Sequence, residues 1–589
     1  MTDSATPPGA LQPDFPFDYA AHLADERRIG RLPRQALGAP VAVIGTGGSG
    51  LAAAYELMRI GCRPVLYEAE TDPDGPGGRR LGGRMYSRRL HPADSAVVEL
   101  GCMRFPATAA LVHHYVERSG LHWQPFPDNY AEGVTPNTAV AVDGHRYDVQ
   151  ALTDLYDHND DIRQAHTRWT QTLTDNGFFR LQEALAARDR ATAKPLWNRL
   201  LARYGDWSFF RFLTDPAGAG LSPHQARALG TIGIGPIAWD CFYDLAALEV
   251  LRVLLAAEGA PVHFLREGIS ALAQHLWSHR AGGPDGHAVS LEEINTGAPR
   301  PAVTALHVGA PGRGVTVHSA DGHSQHFPVA VFTPQLHVLE TAVRVTADNT
   351  ATPPFGPRLW QAIRRVSYWP SAHTALVVDA PFWAGTSMDG VTLTDRLPRA
   401  AYAYDYGPPR GDGGRRAVLL LSFTWAEDAM KIASSSPRER VEMFVRELAD
   451  IHPDVADALH KAAATGDAAT ISWENEPHFR GQCKFSRPGE YDYQWALAGH
   501  HMKQHAGFPA VPGEPPNDLY LAGDDTAWTP GWLEYAMASG LNAAWGVLRT
   551  LGGTTTPDNP GPGDMWTHPD YCPAPPSPQG GHPAPDDGG

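Results

Sequence analysis

Apolar residues near the start of the chain change from a strand pattern to a helix pattern across a glycine-rich turn. Residues 41–44 form a continuous apolar run, which is typical of a strand buried on both faces. The segment 45–50 contains four glycines, and small and apolar residues then recur at helical spacing up to Leu57. A second apolar run at 64–67 predicts the next strand. Strand, turn, helix and strand in this order predict a dinucleotide-binding unit.

Each glycine of the turn has a separate predicted task. Gly45 permits the tight turn, Gly47 lets a pyrophosphate approach the backbone, and Gly50 lets the helix pack closely on the strand. Glu68 ends the second strand, 23 positions after Gly45, close to the spacing of a carboxylate that binds a ribose. The alternative is an ordinary glycine-rich turn followed by a surface glutamate. The residues of this unit predicted to contact the dinucleotide are Gly45, Gly47, Gly48, Ser49, Gly50 and Glu68.

The composition is that of an ordinary soluble enzyme with more than one domain. The chain has 589 residues, of which 43% are hydrophobic, and this length exceeds what one hydrophobic core supports. A formal net charge of −17 argues against nucleic acid or an anionic membrane as the main partner. The five cysteines are scattered, without a C-x-x-C pair, so neither a disulfide framework nor a metal site is indicated.

The sequence pattern contains no segment typical of export or membrane insertion. Residues 1–15 lack a basic stretch followed by an apolar one, so no signal peptide is predicted. The longest apolar helix candidate, 245–257, is interrupted by Glu249 and Arg252 and cannot span a bilayer. A cytoplasmic location is therefore expected. A homodimeric assembly is also expected.

Two arginine-containing segments have the chemistry of anion binding. In 80–84, two glycines lie between Arg80 and Arg84, so the backbone can pass close to a ligand while guanidinium groups bind phosphate or carboxylate. Arg104 follows Met103 and lies between apolar neighbours, which is a poor place for a solvated charge. A buried guanidinium needs an anionic partner, and a substrate carboxylate would provide one through a two-pronged contact.

Several segments together resemble the flavin amine oxidase family, and within it the L-amino-acid oxidases and the tryptophan or lysine 2-monooxygenases. The resemblance extends from about Phe15 to about Leu551. It is carried by the glycine turn, Glu68, 80–84, 99–106 and 521–526, and the monooxygenase branch is favoured by 14–19, 230–236 and 473–477. The resemblance implies an FAD enzyme with an α/β (α+β) fold, whose FAD-binding domain is Rossmann-like and discontinuous.

The resemblance also implies roles for individual residues. Arg104 is expected to bind the substrate carboxylate and to contact the cofactor, and Asp524 to bind a ribityl hydroxyl. Val303 is expected to meet the adenine through its backbone. Trp532 is expected to form an aromatic wall over the amino-acid end of the substrate. The other residues expected to contact FAD are Arg80, Gly83, Arg84, Met103, Gly523 and Leu533.

His373 is a departure from the family pattern. The segment 366–378 resembles a family strand that usually carries a lysine, which reaches the flavin's reactive nitrogen through a water, and in this register the position is His373. None of the five lysines lies near this strand; they are Lys194, Lys431, Lys461, Lys484 and Lys503. As a catalytic residue, His373 could hold the water that the lysine holds in the family. Alternatively, the oxygen chemistry is altered, or the histidine is a satisfied core residue.

Three further residues are candidates for the substrate pocket or its surroundings. Asp240 lies among aromatic residues in 239–244 and is expected to select the substrate side chain, such as a cationic one. The alternative is a solvated charge at a helix end. Trp473 is expected to bind substrate. Lys484 precedes a Gly/Pro turn and an aromatic run. Its side chain is expected either near the site or on the surface.

Patterns along the rest of the chain divide it into parts. Helix-like spacing dominates the insertion, and apolar runs at 302–308 and 314–318 predict a hairpin. The predicted parts are an N-terminal arm at 1–37, an FAD-binding domain at 38–110, 262–335 and 485–552, a mostly helical insertion at 111–261, a mixed-sheet substrate-binding domain at 336–484, and a disordered tail at 553–589.

The expected function is oxidation of an L-α-amino acid by hydride transfer from its α-carbon to the flavin, with O2 as acceptor. Oxidative decarboxylation to an amide is favoured, whereas an L-amino-acid oxidase would give a keto acid, ammonia and hydrogen peroxide. An amine or polyamine oxidase would leave Arg104 without a carboxylate partner, and a flavoprotein without turnover is the remaining alternative. An NAD-dependent dehydrogenase is disfavoured, because no second dinucleotide loop of comparable quality is present.

Overall fold

A computed structural model describes most of the chain. The described ranges are 17–24, 28–90, 96–126, 137–150, 152–233, 238–257, 261–348, 354–404, 416–503 and 514–566. The first sixteen residues of the predicted arm, part of the segment 230–236 and the end of the predicted tail from residue 567 lie outside these ranges.

Helices contain more of the described residues than strands do. They are α1 (Tyr19–Ala24), α2 (Gly48–Arg59), α3 (Ala110–Ser119), α4 (Leu155–His158), α5 (Asp160–Asp175), α6 (Phe178–Ala186), α7 (Arg190–Tyr204), α8 (Phe209–Thr214), α9 (Pro223–Ile232), α10 (Ala247–Ala257), α11 (Ser270–Ser278), α12 (Leu291–Ile294), α13 (Val338–Thr341), α14 (Pro357–Arg365), α15 (Ala426–Ile432), α16 (Pro437–Ile451), α17 (Ala456–Thr465), α18 (Tyr491–Ala498), α19 (Leu533–Thr550) and α20 (Pro562–Trp566).

Strands are distributed over several sheets. They are β1 (Pro40–Ile44), β2 (Arg63–Tyr67), β3 (Ser87–Arg88), β4 (Val98–Glu99), β5 (Phe105–Pro106), β6 (Trp123–Pro125), β7 (Asn137–Val142), β8 (His145–Val149), β9 (Val262–Leu265), β10 (Ala281–Gly282), β11 (Ala288–Val289), β12 (Val303–Val308), β13 (Val315–Ser319), β14 (Ser324–Phe327), β15 (Val329–Phe332), β16 (Arg344–Ala347), β17 (Ser367–Trp369), β18 (Ser371–Val378), β19 (Gly390–Thr394), β20 (Ala400–Tyr404), β21 (Ala417–Trp425), β22 (Asp467–Ser472), β23 (Cys483–Phe485) and β24 (Leu519–Leu521).

A parallel sheet with the strand order β2-β1-β15-β24 forms the nucleotide-binding part. Its strands come from the beginning, the middle and the end of the chain, and Val43 pairs with Val331 in register. Helices α2 and α19 pack closely: a Cβ added at Gly540 would lie 2.2 Å from the carbonyl oxygen of Ser49. The predicted Rossmann-like, discontinuous α/β fold is therefore confirmed.

The predicted hairpin is also present next to this sheet. Strands β12 and β13 pair antiparallel, with Val308 opposite Val315. β14 and β16 extend them to a four-stranded sheet of order β14-β13-β12-β16. The chain then enters the parallel sheet as β15, whose residues are all buried.

The substrate-binding part is built on a seven-stranded sheet of order β22-β18-β21-β20-β19-β7-β8. Strand β18 is buried along its whole length, and α16 packs on this sheet after a capping box formed by Ser436 and Glu439. Strands β7 and β8 correct the predicted boundary, because they fall within the insertion at 111–261. β7 pairs parallel with β19, so the partner that fixes it lies about 250 residues away along the chain.

Apart from β6, β7 and β8, the described elements between residues 111 and 261 are helical. Helices α4 to α10 surround the buried indoles of Trp169, Trp197 and Trp239, and the first and last of these rings lie 4.7 Å apart. Among the helices of the described ranges, none is long and apolar enough to cross a membrane.

The two ends of the described chain pack against the nucleotide-binding part. In α1, the hydroxyl of Tyr19 donates to the side-chain oxygen of Asn542 at 2.7 Å. The predicted tail at 553–589 starts too early, because Thr554 exchanges backbone hydrogen bonds with Arg31. Helix α20 then lies so close to Trp545 that a Cβ at Gly563 would be 2.3 Å from its ring. Packing on one aromatic side chain orders a segment that has no periodic pattern.

Candidate active site

A long cleft opens where the parallel strands end. Its walls come from the residues that follow β1, β2, β15 and β24 and from the beginning of α19. Its empty volume, including the open mouth, is about 1260 Å³. The predicted FAD contacts that line it are Gly45, Gly47, Gly48, Ser49, Glu68, Gly83, Arg84, Val303, Gly523, Asp524, Trp532 and Leu533.

The glycine turn after β1 leaves the start of α2 open to an anion. Gly45 has a φ of +98°, which favours glycine. Gly47 is the N-cap of α2, and no side chain caps the helix, so the N–H groups of its first turn remain available. The carboxylate of Glu68 accepts the N–H and hydroxyl of Thr46 with one oxygen and, at 2.8 Å each, the N–H groups of residues 69 and 70 with the other.

Asp524 is fixed at the other end of the cleft. Its Oδ1 accepts the N–H of Gly531 at 2.9 Å, and its Oδ2 accepts the N–H of Lys484 at 3.2 Å. The guanidinium of Arg84 lies 3.4 Å from Oδ2 and also donates to the carbonyl of Gln482. These contacts hold a carboxylate and a guanidinium side by side on the cleft wall, next to the N-terminus of α19.

Arg104 is buried in an aromatic cage. Its guanidinium carbon lies 4.9 Å from the ring centre of Phe126, 5.5 Å from that of Tyr402 and 5.8 Å from that of Phe423, and we call these three rings the Arg104 cage. The guanidinium donates to the hydroxyl of Tyr402 at 3.3 Å. The cage fixes the direction of the guanidinium through cation–π contacts and excludes water from it.

His373 lies in the middle of β18 and is completely buried. Its Nδ1 is 3.3 Å from the carbonyl oxygen of Glu99, so this nitrogen carries the hydrogen. Burial and the neighbouring charge of Arg104 lower the pKa of His373 to about 4, and the ring is neutral near pH 7. Its Nε2 is therefore an acceptor, and it has no hydrogen-bond partner among the described residues. The Gln482 side chain, which acts on the pKa of this ring, lines the cleft.

Comparison with known proteins decides the family. A family model described as flavin containing amine oxidoreductase matches residues 49–548. The chain belongs to this family. It is 27% identical over 583 residues to tryptophan 2-monooxygenase of Pseudomonas savastanoi, covering 93% of this chain and 96% of that protein. It is 24% identical to L-amino-acid oxidase of Mus musculus, covering 87% of this chain and 71% of that protein.

Solved structures of amine oxidases share the fold of this flavin enzyme. Wild-type putrescine oxidase bound to putrescine superposes with a TM-score of 0.59 at 17% identity, covering 87% of this chain and 99% of that one. Cyclohexylamine oxidase from Brevibacterium oxydans IH-35A gives a TM-score of 0.58 at 16% identity, covering 87% and 100%.

The cofactor of this amine oxidoreductase is FAD, and the cleft fits it. An uncapped helix start and a glycine turn suit a pyrophosphate. Gly83 lies so close to this turn that a Cβ added at position 83 would be 3.2 Å from the Cα of Gly47. Glu68 and Asp524 would hold the ribose and the ribityl chain. Val303, Trp532 and Leu533 line the same cleft.

Four predicted FAD contacts do not line the cleft: Gly50, Arg80, Met103 and Arg104. Arg80 instead forms an ion pair with Glu70 at 3.0 Å and lies 4.3 Å above the ring of Tyr86. Glu70 also accepts a hydrogen bond from His478 at 2.6 Å. Burial raises the pKa of Glu70, but His478 and Arg80 outweigh burial and hold that pKa below its ordinary value. The charge of Arg80 is therefore balanced by the Glu70 carboxylate.

Besides Arg104, two further predicted substrate contacts lie outside the cleft. Trp473 is fully buried, and its indole N–H donates to the carbonyl of Leu100 at 2.9 Å. Its ring packs edge-on against Phe479, which does line the cleft, so Trp473 supports the wall from behind. Asp240 lines a separate small cavity and is paired with Arg399.

Lys484 is buried, and the surface alternative for it is wrong. It is 2% exposed, and its Nζ lies 3.5 Å from Oε1 of Glu249. Glu249 also accepts from the backbone of Ser486 and the side chain of Gln494. The ion pair joins α10 to β23, directly behind the backbone that holds Asp524.

Sequence reasoning missed several residues of the cleft wall, namely Thr46, Glu70, Cys102, Thr333, Pro334, Gln335, His478, Phe479 and Gln482. Thr333 could have been found, because it directly follows the buried strand β15 and the carboxyl ends of parallel strands meet at one edge. His478 and Gln482 belong to an irregular segment, where no local pattern indicates a site.

His373→Gln is expected to make the protein less sensitive to acid. Because the folded-state pKa of His373 is about 4, only the unfolded chain takes up a proton near its ordinary pKa of about 6.5. The free energy of unfolding therefore decreases as the pH falls below about 6.5, and His373 contributes about 2 kcal/mol to this decrease near pH 5. Urea unfolding at about pH 7 and about pH 5 measures the loss, which should be smaller in the variant.

The matched control for this experiment is His287→Gln, because His287 is exposed in a turn. We expect this variant to lose as much stability between the two pH values as the wild-type protein does. An equal loss in His373→Gln would show that folding does not lower the pKa of this ring.

Proposed function

We propose that the chain oxidises an L-α-amino acid with O2 and releases the amide that is one carbon shorter, together with CO2 and water. One amino acid and one O2 give one amide, one CO2 and one water, so the atoms balance. The observation that carries the proposal is the buried guanidinium of Arg104 in its aromatic cage. The relatives named tryptophan 2-monooxygenase support the decarboxylating outcome.

Arg104 is proposed to bind the substrate carboxylate. A two-pronged contact from a guanidinium fixes both position and direction of a carboxylate, and the hydroxyl of Tyr402 holds the guanidinium in place. The bound α-carbon would face Trp532, whose ring is proposed to cover the amino-acid end of the substrate. Such alignment replaces a large part of the entropy cost of the reaction by binding energy.

When bound, FAD accepts the hydride from the α-carbon and passes the electrons to O2. Arg84 and Asp524 are proposed to hold its ribityl end, and the turn after β1 its pyrophosphate. His373, with its acceptor Nε2 beside Gln482, is proposed to hold a water in the place where the family lysine does so. Burial raises the pKa of Glu99 to about 8, so this side chain and the His373 ring are both uncharged near pH 7.

The predicted division of the chain is proposed with two changes, namely that β7 and β8 belong to the substrate sheet and that residues 553–566 pack on the nucleotide-binding part. A cytoplasmic location and a homodimeric assembly stay predictions from the sequence.

An anaerobic screen of the purified holoenzyme against the common L-amino acids tests the function. We expect at least one of them to bleach the flavin absorbance, and the matching amine without the carboxylate to leave it unchanged. Addition of O2 followed by mass analysis should give the shortened amide. Keto acid with hydrogen peroxide would instead favour an L-amino-acid oxidase, and bleaching by the truncated amine alone would contradict the role of Arg104.

A further inference from the structure

A second, smaller cavity adjoins the Arg104 cage, because Phe423 belongs to both. The ring of Phe423 lies 5.1 Å from that of Trp425, which also lines the cavity. The remaining lining residues are Ala238, Asp240, Cys241, Arg399, Ala400 and Asp428, and the empty volume with the mouth included is about 310 Å³. Under the proposed function, a substrate held by its carboxylate at Arg104 would extend a long side chain along Phe423 toward this cavity.

The charged groups on the cavity wall include one carboxylate in excess. Arg399 is ion-paired with Asp240 and, at 3.4 Å, with Asp428. Two carboxylates therefore share one guanidinium. Lys431 lies 2.6 Å from Asp428, but its side chain is 63% exposed, so water and salt screen its charge. The wall thus favours a positively charged ligand.

Two polar atoms of the wall are buried and have no hydrogen-bond partner among the described residues: Oδ1 of Asp240 and the indole N–H of Trp425. Oδ2 of Asp240 is occupied by Arg399, so Oδ1 is the oxygen left to accept. The side chain of Trp425 is 8% exposed. Since buried polar groups normally have partners, these atoms indicate a polar ligand.

We propose that this cavity binds the end of the substrate side chain and that this end is a guanidinium or ammonium group. The inference rests on the proposed function and names its substrate class. The cation would donate to Oδ1 of Asp240, lie against the rings of Phe423 and Trp425, and balance the excess carboxylate. A water in the same cavity would accept the N–H of Trp425.

Other side chains fit these groups less well. An anionic side chain would face two carboxylates, and an aromatic one would bury Oδ1 of Asp240 without a partner. A neutral ureido group could satisfy both unpartnered atoms but would leave the charge of the wall unbalanced. L-citrulline, which has this group at the end of an arginine-like chain, is therefore the discriminating substrate.

Anaerobic mixing of the holoenzyme with L-arginine, L-lysine, L-citrulline, L-tryptophan and L-glutamate tests the proposal. We expect the rate of flavin reduction, divided by the apparent Kd, to be at least about tenfold higher for L-arginine or L-lysine than for L-citrulline. Equal or faster reduction by L-citrulline or L-tryptophan would overturn the inference while leaving the proposed function intact. No reduction by any L-amino acid would overturn both.

Two variants test whether Oδ1 of Asp240 is the atom that binds the cationic end of the substrate. Asp240→Asn removes the charge beside the unpartnered oxygen, and Asp428→Asn removes an equal charge whose oxygens are already bonded to Arg399 and Lys431. Asp240→Asn should lower the rate of flavin reduction, divided by the apparent Kd, at least about tenfold for the better cationic substrate and should change this ratio little for L-citrulline. Asp428→Asn should lower the same ratio for the cationic substrate by less. Equal losses for both substrates, with bound flavin and thermal midpoint unchanged, would overturn the assignment.

Discussion

Arg104→Met is expected to lower kcat/KM for the preferred L-amino acid by about 1,000-fold, equivalent to about 4 kcal/mol of transition-state stabilisation. A charge-assisted, two-pronged contact in a site closed to water has this magnitude, because the carboxylate loses its counter-charge without regaining its hydration. Methionine fits between the rings of the cage as an apolar side chain of similar length. Arg104 does not line the FAD cleft, so the visible absorbance of the bound flavin should remain.

Arg438→Met is the matched control, because the side chain of Arg438 is 88% exposed and its loss should change kcat/KM less than about twofold. Arg104→Lys keeps the charge but not the fork, and an intermediate loss is expected. The amine without the carboxylate should leave the flavin absorbance unchanged in Arg104→Met as in wild type. A loss below about tenfold with the amino acid would contradict the carboxylate contact.

The nucleotide-binding part could be predicted because its information is local. The strand, the turn and the helix that carry Gly45, Gly47 and Glu68 follow one another within about 30 residues, and each glycine answers a requirement of the backbone. Asp524 could be placed because the same logic applies where β24 ends. Here a short segment contains both the element and its ligand-binding groups.

The surroundings of the substrate could be predicted only in part, because they are assembled from distant segments. The Arg104 cage combines Phe126, which directly follows β6, with Tyr402 and Phe423 on the paired strands β20 and β21, about 300 residues further along the chain. Nothing in the sequence pairs Asp240 with Arg399, so its partner emerged only from the fold. The sequence predicts a substrate contact at Trp473, whereas its side chain packs behind Phe479 rather than lining the cleft.

One boundary error could have been avoided from the sequence. Asp143 and Gly144 have φ values of +52° and +74°, as a tight hairpin turn requires, and an Asp-Gly pair between apolar runs is a strong hairpin indicator. This pair predicts β7 and β8 inside a region whose other elements are mostly helical. Their membership of the seven-stranded sheet still depends on β19, a partner that only the tertiary structure supplies.

Gly50→Ala is expected to yield a protein that is nearly free of FAD, although Gly50 contributes no atom to the cleft. A Cβ at this position would lie 2.1 Å from the carbonyl oxygen of Gly45, far inside van der Waals contact. Since that oxygen is backbone in a buried turn, the turn and the start of α2 must move apart. The N–H groups of the first helical turn would then no longer converge on a pyrophosphate, and most of the affinity for FAD depends on their geometry.

The ratio of flavin to protein absorbance after purification measures this effect, and we expect it to fall below about a tenth of the wild-type value. Gly282→Ala is the control, because a Cβ there meets nothing within 4 Å. Titration of the apoprotein with FAD separates lost affinity from lost folding: a variant that melts cooperatively but binds FAD weakly places the fault in the turn. A fully yellow Gly50→Ala protein would mean that the turn can relax without cost, and that close packing of α2 on the strand does not hold the dinucleotide site.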